Sequence, residues 1–125
     1  MDRPHQLHWG TGVNIVNGVP TIDIDEAVAD GDSLLLDVRE YQEWMAGHVA
    51  HAVHVPMGEV VERVGELPHD RRIVCICRSG NRSARVAGWL VQQGYDAVNL
   101  AGGALQWVSL GHPLVNHVGN SGVVA

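Results

Sequence analysis

The chain has 125 residues, which is enough for one domain with a substantial core and too few for two. Apolar residues make up 46% of the sequence, as in ordinary globular proteins and unlike disordered ones. The formal net charge of −6 argues against a nucleic acid or an anionic membrane surface as the main partner.

The positive charge is concentrated in one place. All eight cationic residues are arginine, and three of them, Arg78, Arg82 and Arg85, lie within eight residues of one another. An acidic protein with such a cluster is expected to contain a local anion-binding site, because guanidinium groups bind oxyanions through several N–H donors.

The two cysteines, Cys75 and Cys77, are separated by one residue, so no disulfide framework is expected. The N-terminus lacks the apolar core of a signal peptide, and no run of about 18 apolar residues is present to cross a bilayer. We therefore expect a soluble, cytoplasmic protein whose thiols are reduced.

Along the chain, short apolar runs alternate with amphipathic segments. Residues 1–18 are predicted to be an N-terminal extension with no assigned structure, residues 19–112 a single domain, and residues 113–125 a loose C-terminal tail. Strands are predicted at 21–24, 33–39, 52–56, 72–77 and 97–100. Helices are predicted at 25–31, 40–48, 57–68, 82–94 and 102–111, the last after a glycine turn.

This alternation predicts an α/β fold with a mostly parallel central sheet flanked by helices. Ligands of such sheets bind beyond the carboxyl ends of the strands. Cys77 ends one predicted strand, and Asp37 and Arg39 end another. The sequence therefore places its candidate site at this edge of the sheet.

The segment "CRSGNRS", residues 77–83, carries the strongest chemical signal. Gly80 allows a positive φ, and a loop bent in this way turns successive N–H groups towards a bound anion. The following helix adds its positive N-terminal end, and Arg78 and Arg82 add full charges. All of these effects favour the thiolate, so we predict a lowered pKa for Cys77 and a nucleophile that needs no histidine base.

The alternative is that each cysteine is a small apolar residue in a strand. This interpretation fits Cys75, which lies inside "IVCIC" and is expected to be a buried, inert thiol. It does not fit Cys77, because burial alone does not explain the adjacent arginines, glycine and serines.

The length of the loop limits the chemistry. Cysteine-dependent phosphatases use C-x5-R, which encloses a tetrahedral phosphoryl group, whereas Arg82 follows Cys77 by five positions and gives C-x4-R. The shorter loop favours a smaller electrophile, such as the outer sulfur of thiosulfate.

Four segments in order resemble the rhodanese (thiosulfate sulfurtransferase) family in its single-domain form, over residues 20–112. They are "LLLDVRE" (34–40), "GHVAHAVHVP" (47–56), "CRSGNRS" (77–83) and "LAGGALQW" (100–107). The resemblance implies the rhodanese-like fold, in which three layers enclose a mostly parallel sheet.

Two histidines depart from the family pattern. His51 stands where the family usually has glycine, and His54 where asparagine is common. If that glycine has a positive φ, His51 is expected to bear backbone strain or to change the turn.

The resemblance also implies a two-step transfer. The Cys77 thiolate takes sulfane sulfur from a small anionic donor such as thiosulfate, and a persulfide forms. Cyanide, a thiol or a protein cysteine then accepts the sulfur, so kinetics are of the ping-pong type. No cofactor and no metal ion are implied.

The loop residues Arg78, Ser79, Gly80, Asn81, Arg82 and Ser83 are the candidates for binding substrate and persulfide. Arg78 either binds the donor or is a solvated surface charge, and Arg82 either binds substrate or pairs with an acidic neighbour. Ser79 and Ser83 are candidate hydrogen-bond donors to the persulfide, although Ser83 is equally suited to cap the helix. Asp37 and Arg39 are expected to brace the site through hydrogen bonds or an ion pair.

Three other functions remain open. The same thiolate suits a phosphatase or arsenate reductase, although the loop length argues against one. A non-catalytic regulatory or sulfur-binding module is a second possibility, and a module of that kind usually lacks the cysteine. In a third, Cys75 resolves the Cys77 persulfide as an internal dithiol.

A metal site formed by His48, His51 and His54 is the last possibility that the sequence raises. We do not expect one, because the segment is predicted to be turn and strand, and no cysteine or carboxylate completes a ligand set. His48 and His54 are instead expected to be scaffold residues.

Overall fold

The computed structural model describes residues 12–125. Its strands are β1 Val13–Val16, β2 Val19–Ile22, β3 Leu34–Asp37, β4 Val53–His54, β5 Ile73–Ile76 and β6 Ala97–Leu100. Its helices are α1 Ile24–Ala29, α2 Tyr41–Ala46, α3 Val60–Arg63, α4 Asn81–Gln92 and α5 Gly103–Ser109. None of the helices in these residues is long and apolar enough to cross a membrane.

The six strands form one sheet in the order β1-β2-β6-β5-β3-β4. Strands β1 and β2 are antiparallel, and the other four pairings are parallel. The predicted α/β fold with a mostly parallel sheet is therefore confirmed. All four residues of β5 are buried, as is typical of a central parallel strand.

Side chains of β5 alternate between two apolar cores, one on each face of the sheet. Ile73 and Cys75 belong to the core that contains Val86 and Leu90 of α4. Val74 and Ile76 belong to the core that contains Ile24 of α1 and Trp107 of α5. The helices thus cover both faces of the sheet.

Two predicted boundaries are wrong for local reasons. Ile24 begins α1 instead of ending a strand, because the carboxylate of Asp23 accepts the Glu26 N–H at 2.9 Å and caps the helix. The helix predicted over 57–68 is divided into the 3-10 turns Met57–Glu59 and Val64–Glu66 on either side of α3. Each of these turns contains a glycine, which disfavours a continuous helix.

Residues 12–18, the described part of the predicted N-terminal extension, form structure that was not predicted. Strand β1 pairs with β2 through a turn in which Asn17 has φ 51° and Gly18 has φ 78°. Asn-Gly is a characteristic sequence for such a hairpin turn. Residues 1–11 lie outside the described residues.

At the C-terminal side, the expectation of a loose tail is wrong. Leu114 is buried, and His48 and Val115 exchange two main-chain hydrogen bonds of 2.8 Å. The Val123 N–H donates to the Ala46 carbonyl at 2.9 Å. We call residues 113–125 the C-terminal strap, because they lie against the end of α2.

The strain considered for His51 is not found. Among residues 12–125, Asn17 is the one non-glycine residue with a positive φ. The turn before β4 therefore accommodates a histidine without a left-handed backbone.

Candidate active site

Cys77 lies where β5 leaves the sheet, and the loop that follows it leads into α4. Asp37 is the last residue of the neighbouring strand β3, and it pairs with Ile76 in the parallel ladder. The structure therefore brings the carboxyl ends of β3 and β5 together, as the topology predicts.

The loop encloses the sulfur of Cys77. The Gly80 N–H donates to Cys77 Sγ at 3.1 Å, and the Ser83 hydroxyl lies 3.2 Å from the same atom. Gly80 has φ 111°, so the predicted positive φ is confirmed. Cys77 is only 1% exposed, and its sulfur lies at the floor of the loop.

Two opposing effects set the pKa of Cys77. Burial raises the pKa, because it removes water from the charged form. The Ser83 hydroxyl and the backbone N–H groups of Ser83, Gly80 and Ser79 lower it, and together they leave the pKa below its usual range. The direction is the one predicted, but the donors are the hydroxyl and the backbone, not the loop arginines.

Cys75 has the opposite environment. It is completely buried in the apolar core, and that burial raises the pKa of its thiol far above the usual range. Its description as a buried, inert thiol fits this environment.

Arg82 is held by a carboxylate of another helix. Its Nη1 and Nη2 donate to Oε1 and Oε2 of Glu43 on α2, at 2.7 and 2.9 Å. Hydrogen bonding from Arg82 lowers the pKa of Glu43 to about 2, against the effect of burial. Of the two roles left open for Arg82, the structure shows pairing with an acidic neighbour.

Arg78 lies at the mouth of the loop and is exposed. Its Nε donates to the main-chain oxygen of Ala125 in the C-terminal strap, at 3.0 Å. Ser79 and Asn81 are also exposed, so the outer side of the loop consists of polar side chains.

Ser83 is not the helix N-cap, because that position belongs to Gly80 and Ser83 lies inside the first turn of α4. Its side chain is fully buried. The hydroxyl lies 2.6 Å from Oδ1 of Asn99 as well as near Cys77 Sγ. The other role left open for Ser83, that of a donor to sulfur, fits this position.

Asp37 and Arg39 form an ion pair in which each residue is 1% exposed. Arg39 Nη2 donates to Asp37 Oδ2 and to the Gly47 carbonyl, both at 2.7 Å. The Arg39 carbonyl in turn accepts a 2.6 Å hydrogen bond from the His54 ring. The pair thus joins the end of β3 to the end of α2 and to β4, which fits the bracing expected of it.

Asn99 and Glu43 were not among the predicted site residues. Asn99 Nδ2 donates to the Gly80 carbonyl at 3.1 Å, so β6 holds the loop from below. An asparagine within the apolar strand "AVNL" was an available signal, because a buried amide needs hydrogen-bond partners. No comparable signal indicated that Glu43 would meet Arg82.

His48 and His54 both stack on the Trp44 ring, at centroid distances of 3.5 and 4.8 Å. The His48 ring also bonds to the Trp44 carbonyl at 2.7 Å. Both histidines therefore have structural contacts. Within residues 12–125, no three His, Cys, Asp or Glu side chains form a group that could hold a metal ion.

The chain is similar to several known proteins. Residues 22–110 match the family model described as the rhodanese-like domain. A sulfurtransferase of Allochromatium vinosum is 39% identical over 103 residues, which are 81% of this chain and 96% of that protein. A putative sulfurtransferase of Bacillus subtilis, YtwF, is 39% identical over 93 residues, 74% of this chain and 90% of the relative.

A crystal structure of a rhodanese-related protein from Thermoplasma volcanium has the same fold. It superposes with a TM-score of 0.73 at 32% identity, and the match covers 76% of this chain and 96% of the other. The matched residues 22–110 include strands β3 to β6 and the Cys77 loop, and the chain belongs to the rhodanese-like domain family.

Proposed function

We propose that this protein is a sulfurtransferase that carries sulfane sulfur as a persulfide on Cys77. The observation that carries the proposal is the ring of donors around Cys77 Sγ, which lowers the pKa of a thiol that burial alone would raise. The sulfurtransferase names of two relatives at 39% identity support it.

In the first step, the Cys77 thiolate attacks the outer sulfur of thiosulfate. A new S–S bond forms, the bond between the sulfane and sulfite sulfurs breaks, and sulfite leaves with the electron pair. The terminal sulfur of the persulfide is then an anion inside the loop. Backbone N–H groups of residues 78–83 stabilise it as an oxyanion hole stabilises oxygen.

In the second step, cyanide or a thiolate attacks the terminal sulfur. The S–S bond breaks, thiocyanate or a new persulfide leaves, and the Cys77 thiolate is restored. A protein cysteine is a further acceptor in this proposal. We also propose a cytoplasmic location, where thiols stay reduced, and both cysteines are free thiols in this structure.

Arg78 is our candidate for binding the anionic donor. Arg82 is already engaged by both oxygens of Glu43, whereas Arg78 is exposed at the mouth and contacts one main-chain oxygen. We expect Arg78→Ala to raise the KM for thiosulfate about tenfold with a smaller change in kcat, since a charged hydrogen bond is worth about 1.5–3 kcal/mol.

The persulfide is tested by incubating the reduced protein with thiosulfate and measuring its intact mass. We expect a gain of one sulfur atom that cyanide removes and that the Cys77→Ser variant does not show. A Cys75→Ser variant serves as the matched control, because Cys75 lies within the apolar core and not in the loop. It is expected to load and unload like the original protein.

Absence of the added sulfur in folded, reduced protein would overturn the proposal. Hydrolysis of a phosphate ester by that protein would then identify a cysteine-dependent phosphatase. A loaded Cys75→Ser variant that no longer passes sulfur to acceptors would instead assign a resolving role to Cys75.

A further inference from the structure

Asn99 is a buried polar residue of β6, and its amide has only one orientation that satisfies its neighbours. The Gly80 carbonyl can only accept, so the atom 3.1 Å from it must be the amide nitrogen. The amide oxygen Oδ1 therefore faces Ser83, at 2.6 Å from its hydroxyl.

The Ser83 hydroxyl has a single proton and two neighbours that can accept it. Asn99 Oδ1 is an acceptor at 2.6 Å, and Cys77 Sγ lies at 3.2 Å. While Cys77 is a thiol, both contacts are satisfied, because S–H donates to Ser83 Oγ and the hydroxyl donates to Asn99. Once the sulfur is charged, the hydroxyl must turn towards it and leave Oδ1 without its donor.

We propose that Asn99 is a positioning residue that competes with Cys77 for the proton of the Ser83 hydroxyl. Its amide oxygen favours the states of Cys77 in which Sγ carries no charge. The amide nitrogen has a separate task, because it holds the Gly80 carbonyl and so keeps the Gly80 N–H directed at the sulfur.

This inference rests on the proposed function for its consequence in catalysis. In the persulfide, Sγ is a neutral, two-bonded sulfur, and the charge lies on the terminal sulfur inside the loop. The Ser83 proton is then free to return to Asn99. Asn99 therefore disfavours the bare thiolate relative to the persulfide. Cys77 then accepts sulfane sulfur more readily, and the persulfide gives it up more slowly.

Other titratable groups also lie near Cys77. Arg82 lies at the start of α4, Arg78 in the loop and Cys75 two residues earlier on β5, and Cys75 and Arg82 interact electrostatically with Cys77. None of these is changed by substitutions at Ser83 or Asn99. A comparison of both single variants with the double variant therefore isolates the Ser83–Asn99 interaction.

The test compares four versions of the full chain: the original, Ser83→Ala, Asn99→Leu and the double variant. The rate of Cys77 alkylation by iodoacetamide is measured against pH, with the modified residue identified by mass spectrometry. Ser83→Ala removes a donor and is expected to raise the pKa of Cys77. We expect Asn99→Leu to shift the pKa of Cys77 differently in the two backgrounds. With Ser83 present, the shift should lie about 0.5 to 1 unit further towards lower pKa than in the Ser83→Ala background.

Equal changes in the two backgrounds, or a difference of opposite sign, would overturn the proposal and leave Asn99 as a structural residue. Asn99→Ala repeats the cycle with a smaller side chain should leucine prevent folding, and circular dichroism checks each variant. Alkylation requires no sulfur transfer, so the cycle gives its result even if no persulfide forms on the original protein.

Discussion

At the scale of single residues, Asp37 and Arg39 form a buried ion pair beside the Cys77 loop. Both residues are 1% exposed, and Asp37 is the carboxylate that neutralises the Arg39 guanidinium. The Gly47 carbonyl accepts one further N–H, while Arg39 Nη1 has no protein partner among the described residues. Each charge therefore depends on the other.

Asp37→Asn should be strongly destabilising, because it leaves a buried guanidinium without its counter-charge. We expect the free energy of unfolding, measured in urea, to fall by about 3–5 kcal/mol. The double variant Asp37→Asn/Arg39→Met removes both charges and should lose less than the single variant. A double variant that is less stable than Asp37→Asn would contradict this account.

Also at this scale, sequence reasoning succeeded where the chemistry is local. Cys77, Gly80 and the helix after them lie within a few positions, so their nest could be predicted from strand, glycine and helix signals. The partners of Ser83 and Arg82 could not. Asn99 lies 16 residues from Ser83, and Glu43 lies 39 residues from Arg82. Packing of the elements decides such pairs.

At the scale of elements, helices α2 and α4 are joined by the bidentate bond between Glu43 and Arg82. Glu43 also accepts the Glu40 N–H at 3.0 Å, which caps the start of α2 and fixes the carboxylate. One side chain thus orients a helix and holds the first turn of another, directly beside the Cys77 loop.

Glu43→Gln should make stability less dependent on pH. In the folded protein the pKa of Glu43 is lowered to about 2, so the carboxylate binds its proton less readily than in the unfolded chain. The stabilisation is present above about pH 4.5 and is lost as the pH falls to about 2. We expect the variant to lose on the order of 1–3 kcal/mol at pH 7 in urea denaturation, and progressively less below pH 4.5.

The matched control is Glu62→Gln, a change of the same type at an exposed position on α3. It should alter stability little at any of these pH values. If Glu43→Gln lowers the free energy of unfolding by the same amount at pH 7 and at pH 3, the stabilisation by this ion pair does not depend on the ionisation of Glu43.

Some strands and helices were predicted correctly from the sequence and others were not. Strands β3, β5 and β6 are mostly apolar, β5 and β6 are buried along their whole length, and the positions of all three followed directly from the sequence. Strand β1 was missed although three of its four residues are apolar, because it is short and mostly exposed and so has no alternation between a buried and an exposed face. Helix α3 was predicted too long, since the spacing of valines indicates which face is buried but not whether the backbone stays helical.

At the scale of the whole molecule, the C-terminal strap links regions that are far apart in the chain. It bonds to His48 and Ala46 at the end of α2 through main-chain groups, and Arg78 in the Cys77 loop donates to Ala125. Most of these bonds use the backbone, which every residue possesses. No side-chain pattern could therefore have indicated them, and the segment was predicted to be loose.

Gly122→Ala should lift the strap from the domain. A Cβ at this position would lie 2.6 Å from Gly47 Cα, 2.9 Å from the Val115 carbonyl carbon and 3.0 Å from the Ala46 oxygen, all of them backbone atoms. Since these atoms cannot move aside cheaply, the strap must shift and its hydrogen bonds must weaken. We expect the Val123 amide to exchange its hydrogen about tenfold faster or more, as about 1.4 kcal/mol of lost local stability implies.

The control is Gly65→Ala, because a Cβ there meets no atom within 4 Å and the residue has no positive φ. It should leave exchange at Val123 unchanged, so any general effect of an added methyl group is removed from the comparison. Exchange in β5 should be the same in both variants, since its backbone is held by the ladders to β3 and β6 and not by the strap.

Unchanged exchange at Val123 in Gly122→Ala would mean that the strap has room for a side chain and does not rest on the end of α2. Faster exchange confined to the strap would establish that it opens as a unit while the sheet and the Cys77 loop remain folded.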